Sequence, residues 1–425
     1  MSTRPAASTS APLKKALTNK RRSPTYRLLL LWEQPKYAAV MAFAAYLLFA
    51  KLHGPVMKAS GLAYFNYLAD AFLHGSVSLI TLPPNVLDLS QFNGHYFLYW
   101  PPLPALLLMP FVGIFGVGFS DVLFTVVIGA INVSLVAQLL RVASVRGIAT
   151  SRDRRALLVL FFAFGTVHLT LAPLGRVWFT AQVIAFLCVV LSYIAALKYK
   201  GFLGFGLTGL AIAGAFLTRN HLILAAFFPF IFLIKEHYIE GIKKEVRYLL
   251  VGALPIIGAI AVFALYNWLR FNNPFDNGLD YHAMHPAFIN AYKEYGPFSI
   301  HYLPQNLFYQ FIAYPFPLRQ TSLYGGSLFL LSPVFFAAFW SFRTNRPWIV
   351  VPLVITVLLV ATPILLLMGT GWVQFGPRYS LDFICPLILL TVLGSRYWSH
   401  KALLVLTVIS IIQYVVGTLA LSSVL

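Results

Sequence analysis

Apolar residues fall in long blocks separated by short polar or basic breaks. The blocks at 37–52, 120–140, 156–173, 178–197, 202–218, 221–234, 248–268, 323–341, 347–368, 379–395 and 402–422 approach the length of a membrane-crossing helix. One more apolar stretch, WPPLPALLLMPFVGIFG at Trp100–Gly116, carries four prolines. Proline removes a backbone donor and bends a helix, so this stretch predicts a short, kinked helix rather than a span.

The basic residues decide its place. With eleven spans and the N-terminus inside, the internal segments hold 23 of the 31 Lys and Arg, as cytoplasmic loops do. If Trp100–Gly116 also crossed, the basic segment RVASVRGIATSRDRR at Arg141–Arg155 would be external while the basic N-terminus stayed internal. The stretch is therefore expected to lie along the outer membrane surface. Two large external loops result, 53–119 and 269–322.

Composition agrees: 59% of residues are hydrophobic and 10% charged, too few charges to cover a water-soluble domain of 425 residues. The expected fold class is an all-α polytopic membrane protein, a single transmembrane domain over 37–425 behind a disordered basic cytoplasmic tail at 1–36. The net charge of +19 is dispersed between apolar blocks, so nucleic acid is not an expected partner. Cys188 and Cys385 sit inside apolar blocks and read as packed thiols. No P-loop, GxSxG, HExxH, CxxC or internal repeat occurs, so any chemistry belongs to the external loops and helix ends.

In YFNYLADAFLHG, Leu62, Phe65, Leu68 and Phe72 mark an apolar helix face, and Asn66, Asp70 and His74 recur at every fourth position on another. That stripe is either a solvated face or a site lining with Asp70 as general base. Asp88, in the loop sequence PPNVLDLSQFNGHY, is either an Asx-turn or cap residue or the base itself. The sequence leaves both acids in place.

Arg176, Arg219, Arg270 and Arg378 stand at the outer ends of spans. There they either snorkel to headgroups or hold an anionic phosphate through forked hydrogen bonds. Asp382, four residues after Arg378, is spaced for an ion pair with it. Asp280, His282 and His285 in DYHAMHP have metal-like spacing but no helical frame and no fourth ligand, so no metal site is assigned. His168 reads as a buried, hydrogen-bonded histidine. The second loop holds thirteen Phe and Tyr, interfacial anchors with a minority available as a sugar platform.

YFNYLADAFLHG, followed by NGHYFLYWPPLPALLLMPFVGIFG, resembles the first external loop of the GT-C glycosyltransferases of the protein O-mannosyltransferase and lipid A aminoarabinose transferase type. GRVWFTAQVIAF, FLTRNHLIL, YNWLRFNNPFDNG and GWVQFGPRYSLDFICP are similar to further parts of that family. The resemblance implies a GT-C-like fold with two surface-lying helices in the first loop and a polyprenyl-phosphate sugar donor. It implies sugar transfer, with inversion, to a lipid, glycan or protein acceptor at the outer face of the plasma membrane.

Asp88 or Asp70 would act as base; Arg378, Arg270, Arg219, Arg176, Trp100, Tyr96, His74 and Asn66 would bind substrate. No cofactor is expected beyond, at most, a divalent cation. Two departures stand out: Ser60 and Gly61 occupy the place of the family's Asp-Glu pair, and Trp100 that of its frequent Lys. They keep open a noncatalytic polyprenyl-phosphate-binding relative, beside a flippase or other transporter for lipid-linked sugars.

Overall fold

The computed structural model describes residues 23–148, 150–237, 242–371 and 374–421; most of the expected N-terminal tail lies outside the described residues. The described part of that tail forms α1 (Pro24–Leu31), capped by Ser23, which accepts a hydrogen bond from the Tyr26 amide. The helices that follow are α2 (Pro35–His53), α3 (Tyr64–Leu73), α4 (Leu103–Phe115), α5 (Asp121–Val145), α6 (Arg152–Phe164), α7 (Val177–Lys198) and α8 (Gly201–Phe216). After them come α9 (Phe227–His237), α10 (Ile242–Phe271), α11 (Pro286–Tyr295), α12 (Pro347–Leu365), α13 (Ile384–Ser395) and α14 (His400–Leu421). A small hairpin, β1 (Ser90–Phe92) and β2 (His95–Phe97), lies in the first large loop.

The chain is an all-α polytopic membrane protein. All eleven predicted blocks are helical, and among the described residues seven helical segments are long and apolar enough to cross a membrane. The remaining four are short or broken for local reasons. α6 stops at Gly165 before a short turn of helix at His168–Leu171, and α8 has only 16 residues. The block at 221–234 begins as a 3-10 helix, Asn220–Ala226, before α9. The block at 323–341 consists of Leu328–Leu331 and a 3-10 helix, Pro333–Arg343, pressed against α13. Gly394 permits that approach, because an added Cβ there would strike the Ala337 carbonyl.

The helix ends segregate as the alternating spans predict. At one end Glu33 pairs with Arg155 at 2.7 Å, Arg146 reaches Glu236 and the Leu197 carbonyl, and Arg396 donates to Gly147 O. The opposite end carries both large loops. α10 leaves Leu250, Leu254, Ile257, Val262 and Leu265 exposed, a stripe suited to lipid tails, which are as apolar as leucine itself.

α4 answers the question posed by Trp100–Gly116. Thirteen residues at about 1.5 Å each fall well short of a hydrocarbon core of about 30 Å. The helix ends at Gly116, whose φ of +71° glycine adopts without strain. Ala105, Leu108 and Val112 pack with Phe65 and Leu68 of α3 in a separate small core, while Ile114 and Phe115 are exposed. The first loop is thus a pair of short apolar helices strapped to the bundle.

Candidate active site

The loop-bearing end holds a cavity of about 650 Å³. Its walls come from the first loop (Asp88, Tyr99, Trp100), the start of α7 (Arg176, Trp178), the turn after α8 (Arg219, His221), the second loop (His282, Phe288), the C-terminal turns of α12 (Pro363, Ile364) and Arg378 with Tyr379. Of the chemistry-bearing residues singled out from the sequence, Asp88, Trp100, Arg176, Arg219, His282, His285 and Arg378 line it together.

Asp88 is delivered by a tightly tied loop. Asn85 Oδ1 accepts the Leu87 amide in an Asx turn, and Tyr64 donates its hydroxyl to the Leu87 carbonyl at 2.8 Å. The Asx-turn role therefore belongs to Asn85, which leaves the Asp88 carboxylate for the cavity. Asp88 itself has φ +67°, a left-handed conformation that costs a non-glycine residue about 1–3 kcal/mol and survives only where its surroundings fix it. Its amide bonds Ala283 O at 3.0 Å, and the Ala283 amide bonds Leu89 O at 2.8 Å, so the second loop clamps the first at this residue.

Arg219 and Arg378 have different surroundings. Arg219 Nη2 lies 2.9 Å from Asp382 Oδ2, and His221 Nε2 meets the same oxygen at 3.0 Å. The Arg378–Asp382 pair expected from the spacing does not form. Arg378–Phe383 is a 3-10 helix of three residues per turn, which puts positions 378 and 382 on different faces and turns Asp382 toward Arg219.

Arg378 is left with one side-chain bond, Nη2 to the Tyr379 hydroxyl at 3.1 Å, and its ring neighbours Tyr379, Phe179 and Trp178. It is only 7% exposed, and its Nε and Nη1 are buried without a hydrogen-bond partner among the described residues. Trp100 Nε1 is likewise buried and unpartnered. Buried donors left unsatisfied cost about 1–3 kcal/mol each, more when charged. Several of them around one cavity call for an anion. Gln182 fixes the turn by donating to the Arg378 carbonyl.

Arg176 precedes α7, where Gly175 packs so closely on the Asp121–Val122 backbone that an added Cβ would overlap it. Burial lowers the Arg176 pKa, and the Asp121 carboxylate opposes that shift. Asp121, which sequence reading passed over because it begins a span, accepts from both the amide and the hydroxyl of Ser60 at 2.7 Å. A carboxylate from α5 therefore lies against one of the two positions where the resemblance looks for acids. Tyr99 was also missed. Enclosure pushes its phenol well above the ordinary range, Asp88 and Tyr379 add to the shift, and Arg378 and Arg219 oppose it. It stays a neutral hydrogen-bond donor beside those charges.

The other residues expected to act as base or bind substrate, Asp70 among them, lie outside the cavity lining. Asn66 is fully buried and donates to Val117 O and Phe119 O, tying α3 to the turn before α5. His74 Nδ1 bonds Asp70 O at 2.9 Å and stands 3.6 Å from the Asp70 carboxylate at the end of α3. Tyr96 belongs to the hairpin, where its carbonyl accepts the Leu79 amide. Arg270 is buried, donates to Leu98 O at 2.7 Å and Asn267 Oδ1 at 2.6 Å, and stacks 3.8 Å from the Tyr266 ring centre. It holds the strand that leads into Tyr99 and Trp100. Asp280 accepts the Tyr292 hydroxyl, and no metal-like cluster of His, Cys, Asp and Glu occurs among the described residues.

Across 86% of the chain, this architecture superposes on the crystal structure of ArnT from Cupriavidus metallidurans bound to undecaprenyl phosphate, with TM-score 0.52 and 12% sequence identity. The fold is GT-C. The match covers 60% of the ArnT chain. An Archaeoglobus fulgidus oligosaccharyltransferase in its apo form aligns over 92% of this chain and 56% of its own, with TM-score 0.47 and 12% identity. Neither a protein-family model nor a curated protein matches the sequence. GRVWF and FLTRNH, two of the segments that carried the resemblance, supply Arg176, Trp178, Arg219 and His221 to the cavity.

Proposed function

We propose that the chain is a membrane glycosyltransferase that moves a sugar from a polyprenyl-phosphate carrier to an acceptor hydroxyl at the outer face of the plasma membrane. The observation that carries the reading is Arg378, a buried guanidinium with two unpartnered N–H groups at a cavity that also holds a carboxylate. A phosphate bound there would satisfy those donors through charge-assisted bonds, which strengthen as the leaving group gains charge. Undecaprenyl phosphate is the ligand named for the ArnT structure, and Phe288, Phe298, Pro363, Ile364 and Leu367 give this cavity an apolar side suited to a prenyl chain.

The chemistry is a single displacement at the anomeric carbon, hence inversion. Asp88 takes the acceptor proton, Arg378 with Arg219 and Arg176 receives the departing phosphate, and Trp100 and Tyr99 donate neutral hydrogen bonds. Loss of the gene should make a lipid-linked sugar accumulate relative to the parent strain, and that species names the donor. Identical lipid-linked sugars and surface glycans in both strains would rule the reading out.

A further inference from the structure

Asp88 and His282 meet from the two large loops. Ser90 and His282 form an antiparallel bridge, Ser90 Oγ donates to Gly278 O at 2.7 Å, and the Asp88–Ala283 and Ala283–Leu89 backbone bonds flank them. His282 Nε2 then stands 3.2 Å from Asp88 Oδ1, close enough for an ion pair but off the line of a hydrogen bond. The His282 side chain is 6% exposed and the Asp88 side chain 18%. Both ring nitrogens of His282 are buried and without a hydrogen-bond partner among the described residues, and the ring packs edge-on to Tyr99 at 4.7 Å.

A buried imidazole with two idle nitrogens is unfavourable unless its arrangement serves something else. Catalytic hydrogen bonds are often long or misaligned before substrate arrives and tighten once it is bound. From this geometry we infer that His282 is the positioning partner of Asp88, donating from Nε2 to Oδ1 so that Oδ2 faces the acceptor hydroxyl. The inference rests on the glycosyltransferase reading and deepens it.

In the step itself the acceptor oxygen bonds to the anomeric carbon and its proton passes to Asp88 Oδ2. The bond from the anomeric carbon to the phosphate oxygen breaks, and its electron pair leaves on the phosphate beside Arg378. His282 keeps its proton throughout. The base is therefore complete only while the second loop is docked on the first, and a donor that draws the loops together also aligns it.

The test uses the full chain in lipid nanodiscs, with transfer kinetics, binding of undecaprenyl phosphate and hydrogen–deuterium exchange of 86–90 and 278–284. His282→Gln places an amide N–H near the Nε2 position, whereas His282→Asn reaches only the Nδ1 position and His282→Leu offers no donor. The Asn and Leu variants should lose about 100-fold in kcat with donor KM unchanged, and the Gln variant should recover to within about 10-fold of the parent. Asp88→Asn combined with His282→Leu should be no worse than Asp88→Asn alone, since the two residues act as one unit.

Near-parental kcat in His282→Asn, equal loss in Gln and Asn, or multiplying losses in the double variant would overturn the inference. The exchange measurement does not depend on transfer: both segments should open in His282→Asn and Asp88→Asn and stay closed in His282→Gln. If the parent transfers no sugar, the glycosyltransferase reading falls, and unchanged exchange in His282→Asn then also sinks the pairing. Should His282→Leu fail to fold, the Asn and Gln variants carry the comparison.

Discussion

Asp382 Oδ2 is shared by Arg219 and His221, at 2.9 and 3.0 Å, with the carboxylate side chain only 1% exposed. One buried acid thereby holds a cation and an imidazole in the cavity wall, and Arg378 is left without a carboxylate partner among the described residues. The difference is electrostatic: Arg219 is fixed by protein, and Arg378 keeps two unpartnered N–H groups at the cavity.

Asp382→Asn removes the charge that makes the Arg219 site tolerable. Breaking one side of a buried pair costs about 3–5 kcal/mol because an uncompensated charge remains. The variant should unfold at a distinctly lower temperature in detergent, and added undecaprenyl phosphate should restore part of the loss by supplying an anion. Unchanged thermal stability would mean that Arg219 does not depend on Asp382.

Arg378→Lys keeps a positive charge and loses the fork. It should bind undecaprenyl phosphate within about 10-fold of the parent yet turn over about 100-fold more slowly, because the second donor matters most as charge develops. Arg378→Ala should lose both. A folded Arg378→Ala chain with parental donor affinity and turnover would reduce Arg378 to an interfacial anchor.

The apolar blocks and the arginines at helix ends are legible in the sequence because each depends on a one-dimensional pattern. Burial inside the first loop was not. Asn66 belongs to a polar stripe in sequence, yet the turn before α5 folds over it and makes it a buried tie to Val117 and Phe119. The Arg378–Asp382 spacing assumes an α-helical turn, and the 3-10 geometry there sends Asp382 to a partner more than 150 residues away, a separation no local spacing encodes. The spacing of Asp280, His282 and His285 relates His282 only to its sequence neighbours, whereas the carboxylate it meets in space is Asp88 and Asp280 goes to Tyr292.

Arg270 separates support from contact. It satisfies Leu98 O and Asn267 Oδ1 from within the protein and lies outside the cavity lining. Arg270→Ala strands those acceptors, at about 1–3 kcal/mol each, and should lower thermal stability. Once folded, it should bind undecaprenyl phosphate as the parent does. A selective loss of donor binding at parental stability would instead put Arg270 in contact with ligand.

The place of α4 fixes which side of the membrane carries the site, and it can be tested without assaying activity. Cys188 and Cys385 are both buried in the bundle, so the parent chain should give little background with an impermeant thiol reagent. A cysteine replacing Pro110 or Gly118 should be labelled on intact cells, because α4 is too short to cross and its apolar tip, Ile114 and Phe115, is exposed at the loop-bearing end. A cysteine replacing Ser151 should react only after permeabilisation. It lies between Arg146 and Arg152 at the end where Glu33, Arg155 and Arg396 gather, the end expected inside from its excess of Lys and Arg. Labelling of Ser151→Cys on intact cells, with Gly118→Cys protected, would invert the chain and put the cavity in the cytoplasm. A polyprenyl-phosphate donor made available at the outer face would then be out of reach.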